Sequence, residues 1–400
     1  MNVAALPGMD RLLPALEGLP PAYLVGGAVR DLLLESDSVD LDVAMEGDAL
    51  AAAWELAERL EGRAMTHERF GTATVRAGDL VFDLAGTRRE RYERPGALPE
   101  VEPAPLAEDL ARRDFTVNAM AIGLTGDDLG ELHDPHGGRE DLEAGLIRVL
   151  HDRSFIDDPT RLLRAVRYET RLGFPMEPET EQLAREAAAE GAPATVSGQR
   201  VRDELLDLLG EQDAPTGLAR LRELGIDRAV HPAFDADPEL AAEAALRAAE
   251  TAADRRLAAL AALVSRAPDD LEPWVDSLAL GRGARDRVVA AARQGPALPR
   301  ALRADPPASA IHALLSCEPA ETLAVALAYG APAEPIHRFL TELQGAHLEI
   351  TGDDLIAAGV PEGPLIGQAL NEVLRMKLDG RVSGRGEELR TALELVEAGQ

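Results

Sequence analysis

The sequence predicts an α+β chain: a head of strands and helices over residues 1–150, then helix alone to residue 400. Three observations carry this. Tyr23-Leu24-Val25 reads as a strand that runs into Gly26-Gly27, where a helix opens at Ala28-Val29-Arg30-Asp31. A second strand follows at Val39-Asp40-Leu41-Asp42-Val43, and residues 72–76 and 80–84 flank Ala77-Gly78-Asp79 as a hairpin. From Asp157 onward strand signals vanish, and amphipathic helices are punctuated by Gly173-Phe174-Pro175, Gly191-Ala192-Pro193, His231-Pro232 and Gly330-Ala331-Pro332.

Between these elements, residues 88–111 form a polar stretch with Pro95, Pro99, Pro103 and Pro105 that reads as a mobile loop, and order resumes over 113–122. No fixed-period repeat is present, which sets solenoids aside. The length implies two to four modules. The single cysteine, Cys317, excludes an internal disulfide framework and fits a reducing compartment. The N-terminus has no basic segment ahead of an apolar one, and no window reaches about 18 uninterrupted apolar residues. The expectation is a soluble cytoplasmic protein that does not enter a membrane.

A net charge of −30 argues against nucleic acid as a partner, because the average potential repels phosphate. The basic residues, however, are nearly all arginine, with Lys377 the single lysine. They are also concentrated: Arg88, Arg89, Arg91 and Arg94, then Arg112-Arg113, then Arg161, Arg164, Arg167 and Arg171. Guanidinium groups make bidentate phosphate contacts, so charge alone does not decide the partner.

Strand side chains alternate faces, so Asp40 and Asp42 point the same way, roughly 7 Å apart at Cα, while Val39, Leu41 and Val43 face a core. Alone, an Asp-x-Asp is commonly the exposed face of an edge strand. Beside the Gly26-Gly27 turn it becomes a metal-and-phosphate constellation: glycines let backbone N–H groups approach phosphate, the opening helix adds a positive dipole end, and paired carboxylates hold Mg²⁺. This pattern points to nucleotidyl transfer, with Asp83 a candidate third carboxylate.

A second cluster joins Arg112 and Arg113, which can pair with a triphosphate or ribose hydroxyls, to Asp114, which can lock one of them in place. A surface salt-bridge network is the equal alternative. In the third cluster Asp157 or Asp158 caps a helix whose first turn suits Pro159. Arg161, Arg164, Arg167 and Arg171 fall on one face of that helix, and Leu162, Leu163 and Val166 on the other. Asp158 and Arg161, at i and i+3, can present an acceptor and a donor to the Watson–Crick edge of a base. The competing reading is a solvated arginine face with an Asp157–Arg161 pair.

Together these residues resemble the class II tRNA nucleotidyltransferases, the CCA-adding enzymes, and the bacterial poly(A) polymerases. The match comprises Leu24-Val25-Gly26-Gly27-Ala28-Val29-Arg30-Asp31, Asp40-Leu41-Asp42, Arg112-Arg113-Asp114-Phe115-Thr116-Val117-Asn118-Ala119, and Asp157-Asp158-Pro159-Thr160-Arg161, in family order. Ser197-Gly198-Gln199-Arg200 leading to Glu204 looks like the helix that braces the nucleotide site. Gly359-Val360-Pro361-Glu362-Gly363-Pro364 looks like a tail signature. Asp157 departs from the glutamate common in the family, and no HD pair of the phosphohydrolase extension is visible.

The resemblance implies a polymerase-β-like head (1–150), a helical neck with the base-reading helix (151–230), and a tRNA-binding helical body and tail (231–400). It implies Mg²⁺ on Asp40 and Asp42, catalysis by these with Asp83, and nucleotide contacts from Gly26, Gly27, Arg30, Arg113, Asp114, Asp158, Arg161, Arg164 and Arg167. The expected reaction adds CMP and AMP from CTP and ATP to the tRNA 3′ end, with no protein partner implied. Addition of A alone and poly(A) synthesis share these motifs. A CC-only enzyme ranks last, because the 88–111 segment is long enough for the flexible loop that A addition needs. From other classes, a non-catalytic RNA-binding homologue is opposed by the presence of both aspartates, and a small-molecule nucleotidyltransferase by the long helical body.

Overall fold

A computed structural model describes residues 3–36, 40–68, 71–303 and 305–398. Val39, expected to face the core, lies outside the described residues. The chain divides into two compact units, residues 1–232 and 233–400. The expected head and neck fall within the first.

After helix α1 (Met9–Ala15), the first unit is built on a seven-stranded sheet. Its order is β3 (Arg63–His67), β4 (Thr72–Ala77), β5 (Leu80–Gly86), β2 (Leu41–Met45), β1 (Ala22–Val25), β8 (Ala121–Gly123), β9 (Leu132–His133). Helix α2 (Gly27–Leu33) leaves β1, and α3 (Ala49–Arg59) links β2 to β3. Only β2 and β5 pair in parallel, because α3 and the β3–β4 excursion carry the chain back to the same end of the sheet.

Period-two alternation decides the faces. Leu41, Val43, Phe82 and Leu84 are buried, and Asp42, Val81 and Asp83 between them are exposed. Helix α3 covers the apolar face with Ala52, Ala53 and Leu56, and its first turn is capped by Asp48, which accepts from the Leu50 and Ala51 N–H groups. On the opposite face, α4 (Leu106–Ala111) packs Leu106 and Leu110 on Tyr23, Val25, Ala44 and Ala121. That leaves the face open over β3, β4 and β5, where Met65, Val81 and Asp83 are exposed.

The expected loop over 88–111 is instead a two-stranded ribbon, β6 (Arg88–Arg91) against β7 (Glu100–Pro103), followed by α4. Cross-strand charge pairing stabilises it: Arg89 meets its register partner Glu102 at 2.7 Å. The prolines sit where they do not interrupt the ladder, Pro103 at the strand end and Pro105 at the helix N-cap.

Helices α5 (Gly138–Ala144), α6 (Ser154–Asp157), α7 (Thr160–Leu172), α8 (Pro178–Ala189) and α9 (Gly198–Gly210) follow. Asp157 ends α6 and pairs with Arg153 at 2.9 Å, so the Asp157–Arg161 pair does not form. Asp158 performs the capping, accepting from the Thr160 N–H at 3.1 Å. Leu162, Leu163 and Val166 are buried as expected.

The second unit is helical throughout its described residues. Alanine-rich helices Pro238–Thr251, Arg255–Val264 and Ala320–Ala328 pack closely because their side chains are small. Trp274 stacks on Phe234 at 5.1 Å. A separate cluster of Ile350, Leu355, Val373, Ala392 and Val396 holds the C-terminal helices. There Lys377 pairs at 2.6 Å with the fully buried Glu388. Cys317 is exposed. Among the described residues no single helix is long and apolar enough to cross a membrane.

Candidate active site

The site begins where β1 ends. Gly26 sits at φ +64°, and a Cβ there would lie 2.6 Å from Arg113 Nη1. The positive φ favours glycine there, and any Cβ would also push the Arg113 guanidinium aside. Helix α2 is only about two turns long, so the backbone of the turn contributes more than a helix dipole to any anion held there.

Asp40 and Asp42 line one wall of a cavity of about 490 Å³, and Gly26, Gly27 and Arg30 line it beside them. Arg113, Asp114, Asp158, Arg161 and Arg164 line the remainder. The volume suits a nucleotide-sized ligand. Two expected residues are not in this wall. Asp83 is the register partner of Asp42 on β5 and lines a second cavity that shares Asp42, Arg112 and Arg113 with the first. Arg167 is buried behind the site, paired with Glu204 at 3.1 Å and lying 5.3 Å from the Tyr168 ring centroid.

Electrostatics separate the walls. Burial, then the Asp83 charge, push the Asp42 carboxyl up to about 6; Arg113 opposes the rise and Asp40 and Asp31 add to it. Asp40, Asp42 and Asp83 repel one another and Arg113 opposes that repulsion at Asp42; a divalent cation would relieve it further. Among the described residues no group of three or more metal-binding side chains converges. Asp40 and Asp42, two carboxylates lining the cavity, fit a divalent cation.

The arginine wall is neutralised internally. Arg112 and Arg113 meet the buried Asp109 at 2.8 and 2.9 Å, and Arg112 also meets Glu90 at 2.7 Å. Contrary to the sequence expectation, Asp114 does not lock Arg112 or Arg113. It accepts instead from Arg164 at 2.6 Å and from Asn118 at 3.1 Å. Burial alone would raise the Asp114 carboxyl, but Arg164 and Asn118 hold it at about 2. Arg30 is buried, paired with Asp31 at 2.7 Å and donating to Asn118 Oδ1 at 2.7 Å.

On α7, Asp158 is gripped by Arg200 at 2.7 Å, and Arg161 donates to Ser154 Oγ at 2.5 Å and to the Arg112 carbonyl at 2.6 Å. Arg164 and Arg167 share Glu204, at 3.0 and 3.1 Å. Arg30, Arg164 and Arg167 all lie 5.3–5.6 Å from the Tyr168 ring centroid. Two guanidinium nitrogens of this network, Arg113 Nε and Arg167 Nε, are buried without a partner among the described residues. Of the two residues, Arg113 lines the cavity.

Sequence reasoning missed Asp109, Glu90 and Tyr168. Asp109 carried a legible signal, since it stands three and four residues before the two arginines it holds. Glu90 carried none, because its role depends on the ribbon bringing β6 beside α4.

Comparison with known proteins identifies the family. Residues 22–148 match the poly A polymerase head domain, and residues 173–237 the probable RNA and SrmB-binding site of polymerase A. An A-adding tRNA nucleotidyltransferase of Geobacter sulfurreducens is 35% identical over 94% of this chain and 45% of its own length. A CC-adding tRNA nucleotidyltransferase of Deinococcus radiodurans is 34% identical over 92% of this chain and 88% of its own. The chain spans about half or less of the A-adding relatives from Geobacter, Halalkalibacterium and Aquifex.

Among solved structures, an apo CCA-adding enzyme superposes with a TM-score of 0.82 at 34% identity, covering 98% of this chain and 95% of that one. The Thermotoga maritima CCA-adding enzyme complexed with tRNA gives 0.74 at 33% identity, covering 97% and 94%. CCA-adding enzyme complexes with CTP and with ATP each give 0.78 at 33% identity, covering 98% of this chain and 94% and 93% of theirs. With a glycine turn, Asp40 just before β2 and Asp42 within it, and a guanidinium-lined helix around one cavity, the chain belongs to the tRNA nucleotidyltransferase family.

Proposed function

We propose that the chain adds CMP and AMP to the 3′ end of tRNA, consuming CTP and ATP and releasing pyrophosphate. The observation that carries this is a single cavity with uncompensated carboxylates on one wall and a pre-set donor–acceptor pair, Arg161 and Asp158, on the other. Such a pair reads a base edge without a nucleic-acid template. Solved relatives that hold CTP, ATP and tRNA support the reading.

Asp40 and Asp42 would hold Mg²⁺, which supplies a lowered pKa at the attacking 3′-hydroxyl and charge stabilisation on the departing pyrophosphate. The Gly26-Gly27 backbone and the Arg113 guanidinium orient the triphosphate. Asp109 keeps the Arg113 guanidinium in place from behind. Arg200 fixes the Asp158 carboxylate and Ser154 the Arg161 guanidinium, so the base meets groups whose positions are already set. Asp114, Arg164, Arg167 and Glu204 brace that helix, and Asp83 remains a third carboxylate beside Asp42. We place the activity in the cytoplasm, where its substrates are found and an exposed thiol such as Cys317 stays reduced.

The test is incorporation into tRNAs ending before the first C, after CC and after CCA, with CTP and ATP supplied separately. Full CCA addition extends the first with CTP alone, by two residues, and the second with ATP alone. A second reading, addition of A alone, is favoured by A-adding relatives that are 46% and 50% identical over about half of this chain. It predicts product only from the CC-ended tRNA with ATP. Long homopolymer from ATP on any end would indicate poly(A) synthesis.

A further inference from the structure

The open face of the sheet continues outward from the carboxylates in ordered rows. Asp42 stands beside Asp83, Asp83 beside Thr74, and Thr74 beside Met65 across β2, β5, β4 and β3. Two residues along, Val81, Arg76 and Arg63 form the next row on the same face. In the other direction the row is Ala85, Thr72 and His67. A cavity of about 380 Å³, lined among others by Asp42, Asp83, Thr74 and His67, joins this platform to the candidate active site.

Arg63 and Arg76 are the anomaly. They are directly opposed register partners, and both are exposed. Like charges opposed across strands are destabilising. In a chain of net charge −30, where nearby Arg11, Arg59 and Arg89 are ion-paired with Asp79, Glu55 and Glu102, a carboxylate for them would be the cheap solution. Among the described residues neither guanidinium has a hydrogen bond or ion pair. The backbone also holds them together: a Cβ on Gly62 would lie 2.4 Å from the Arg76 carbonyl oxygen, so glycine lets β3 close on β4 at that point.

We propose that Arg63 and Arg76 are a phosphate clamp for the acceptor strand of the RNA, upstream of the reacting 3′ end. By strand spacing and rise, Arg76 Cα lies about 8 Å from Asp83 and about 12 Å from Asp42, a reach of two or three nucleotides. The exposed Met65, in the carboxylate row, and Val81, in the arginine row, give the bases an apolar floor. The incoming nucleotide is not the occupant, because its cavity lies on the other side of Asp42 and no residue of β3 or β4 lines it. The clamp rests on the tRNA-extension reading above.

The test uses the full chain with Arg63→Gln, Arg76→Gln, both together, and both as lysine. Retention of CC-ended tRNA on a filter is measured across a salt series, alongside KM for tRNA and for ATP. The double glutamine variant should raise the Kd and KM for tRNA about tenfold near 0.1 M salt and flatten the log–log salt slope by about 1.4. KM for ATP should not move, and the lysine pair should retain most of the affinity. Unchanged tRNA affinity and slope would overturn the clamp, as would a rise confined to the KM for ATP. If wild-type protein extends no tRNA yet the glutamine pair still weakens RNA binding, the extension reading fails and the clamp stands. If wild type extends tRNA and the pair behaves identically, the clamp alone fails.

Discussion

The two walls of the cavity are built on opposite electrostatic plans. On the sheet side, Asp40 and Asp42 line the cavity, the charge of Asp83 acts on Asp42 with Arg113 opposing it, and the Asp42 carboxyl rises to about 6. On the helix side every expected charge has a protein partner: Asp114 with Arg164, Asp158 with Arg200, Arg167 with Glu204. Unmet charge marks where a soluble ion or substrate completes the structure, and met charge marks where geometry must already be fixed before substrate arrives.

The comparison breaks first at the sheet wall. Asp42→Ala or Asp40→Ala should cost several kcal/mol of transition-state stabilisation, a fall of about a thousandfold or more in incorporation, with tRNA retention on filters nearly unchanged. Near-normal turnover in Mg²⁺ would remove the metal role. At the helix wall the same logic predicts a stability effect. Arg164→Ala leaves the buried Asp114 carboxylate without its cation and should destabilise the first unit by about 3 kcal/mol, read as a shifted urea midpoint. A midpoint within error of wild type would mean the pair is replaced by water.

Acid gives a smaller version of that loss. Asp114 is held at about 2 against a usual value near 3.8, so the unfolded chain takes up its proton first. The pair's contribution is complete above about pH 4 and is lost between pH 4 and 2, worth about 2 kcal/mol. An Asp114→Asn variant should show a shallower decline of stability across that window. The smallest effect is on choice of nucleotide. Asp158→Ala or Arg161→Ala should erode discrimination among CTP, ATP, UTP and GTP by about tenfold, whereas the residual activity of Asp40→Ala should keep the wild-type order. If Arg161→Ala loses rate and keeps the ratios, that guanidinium braces Ser154 and the Arg112 carbonyl without reading a base.

What was legible in the sequence is local. The Gly26-Gly27 turn, the alternation around Asp42 and the hairpin of β4 and β5 each follow from residues within a few positions of one another. The ribbon at 88–103 was hidden because its support, Arg89 with Glu102 and Arg112 with Glu90, is spread over residues that read as a polar loop. Asp114 was assigned the wrong partner for the same reason: adjacent arginines looked sufficient, while the one it binds lies 50 residues on. The Asp158–Arg161 spacing was readable, but the groups that hold each in place, Arg200 and Ser154, come from other helices.

The near-absence of lysine and cysteine has a practical side. Every cation lining the candidate active site is a guanidinium, and the proposed clamp is a pair of guanidiniums. Amine-directed and thiol-directed reagents therefore pass over the side chains of both. The reactive side chains are Lys377, ion-paired to Glu388, and the exposed Cys317, both in the second unit. A maleimide dye on Cys317 thus attaches at one position, outside the head, and an assay of the labelled protein reads the same unmodified arginines that the native chain presents to its substrates.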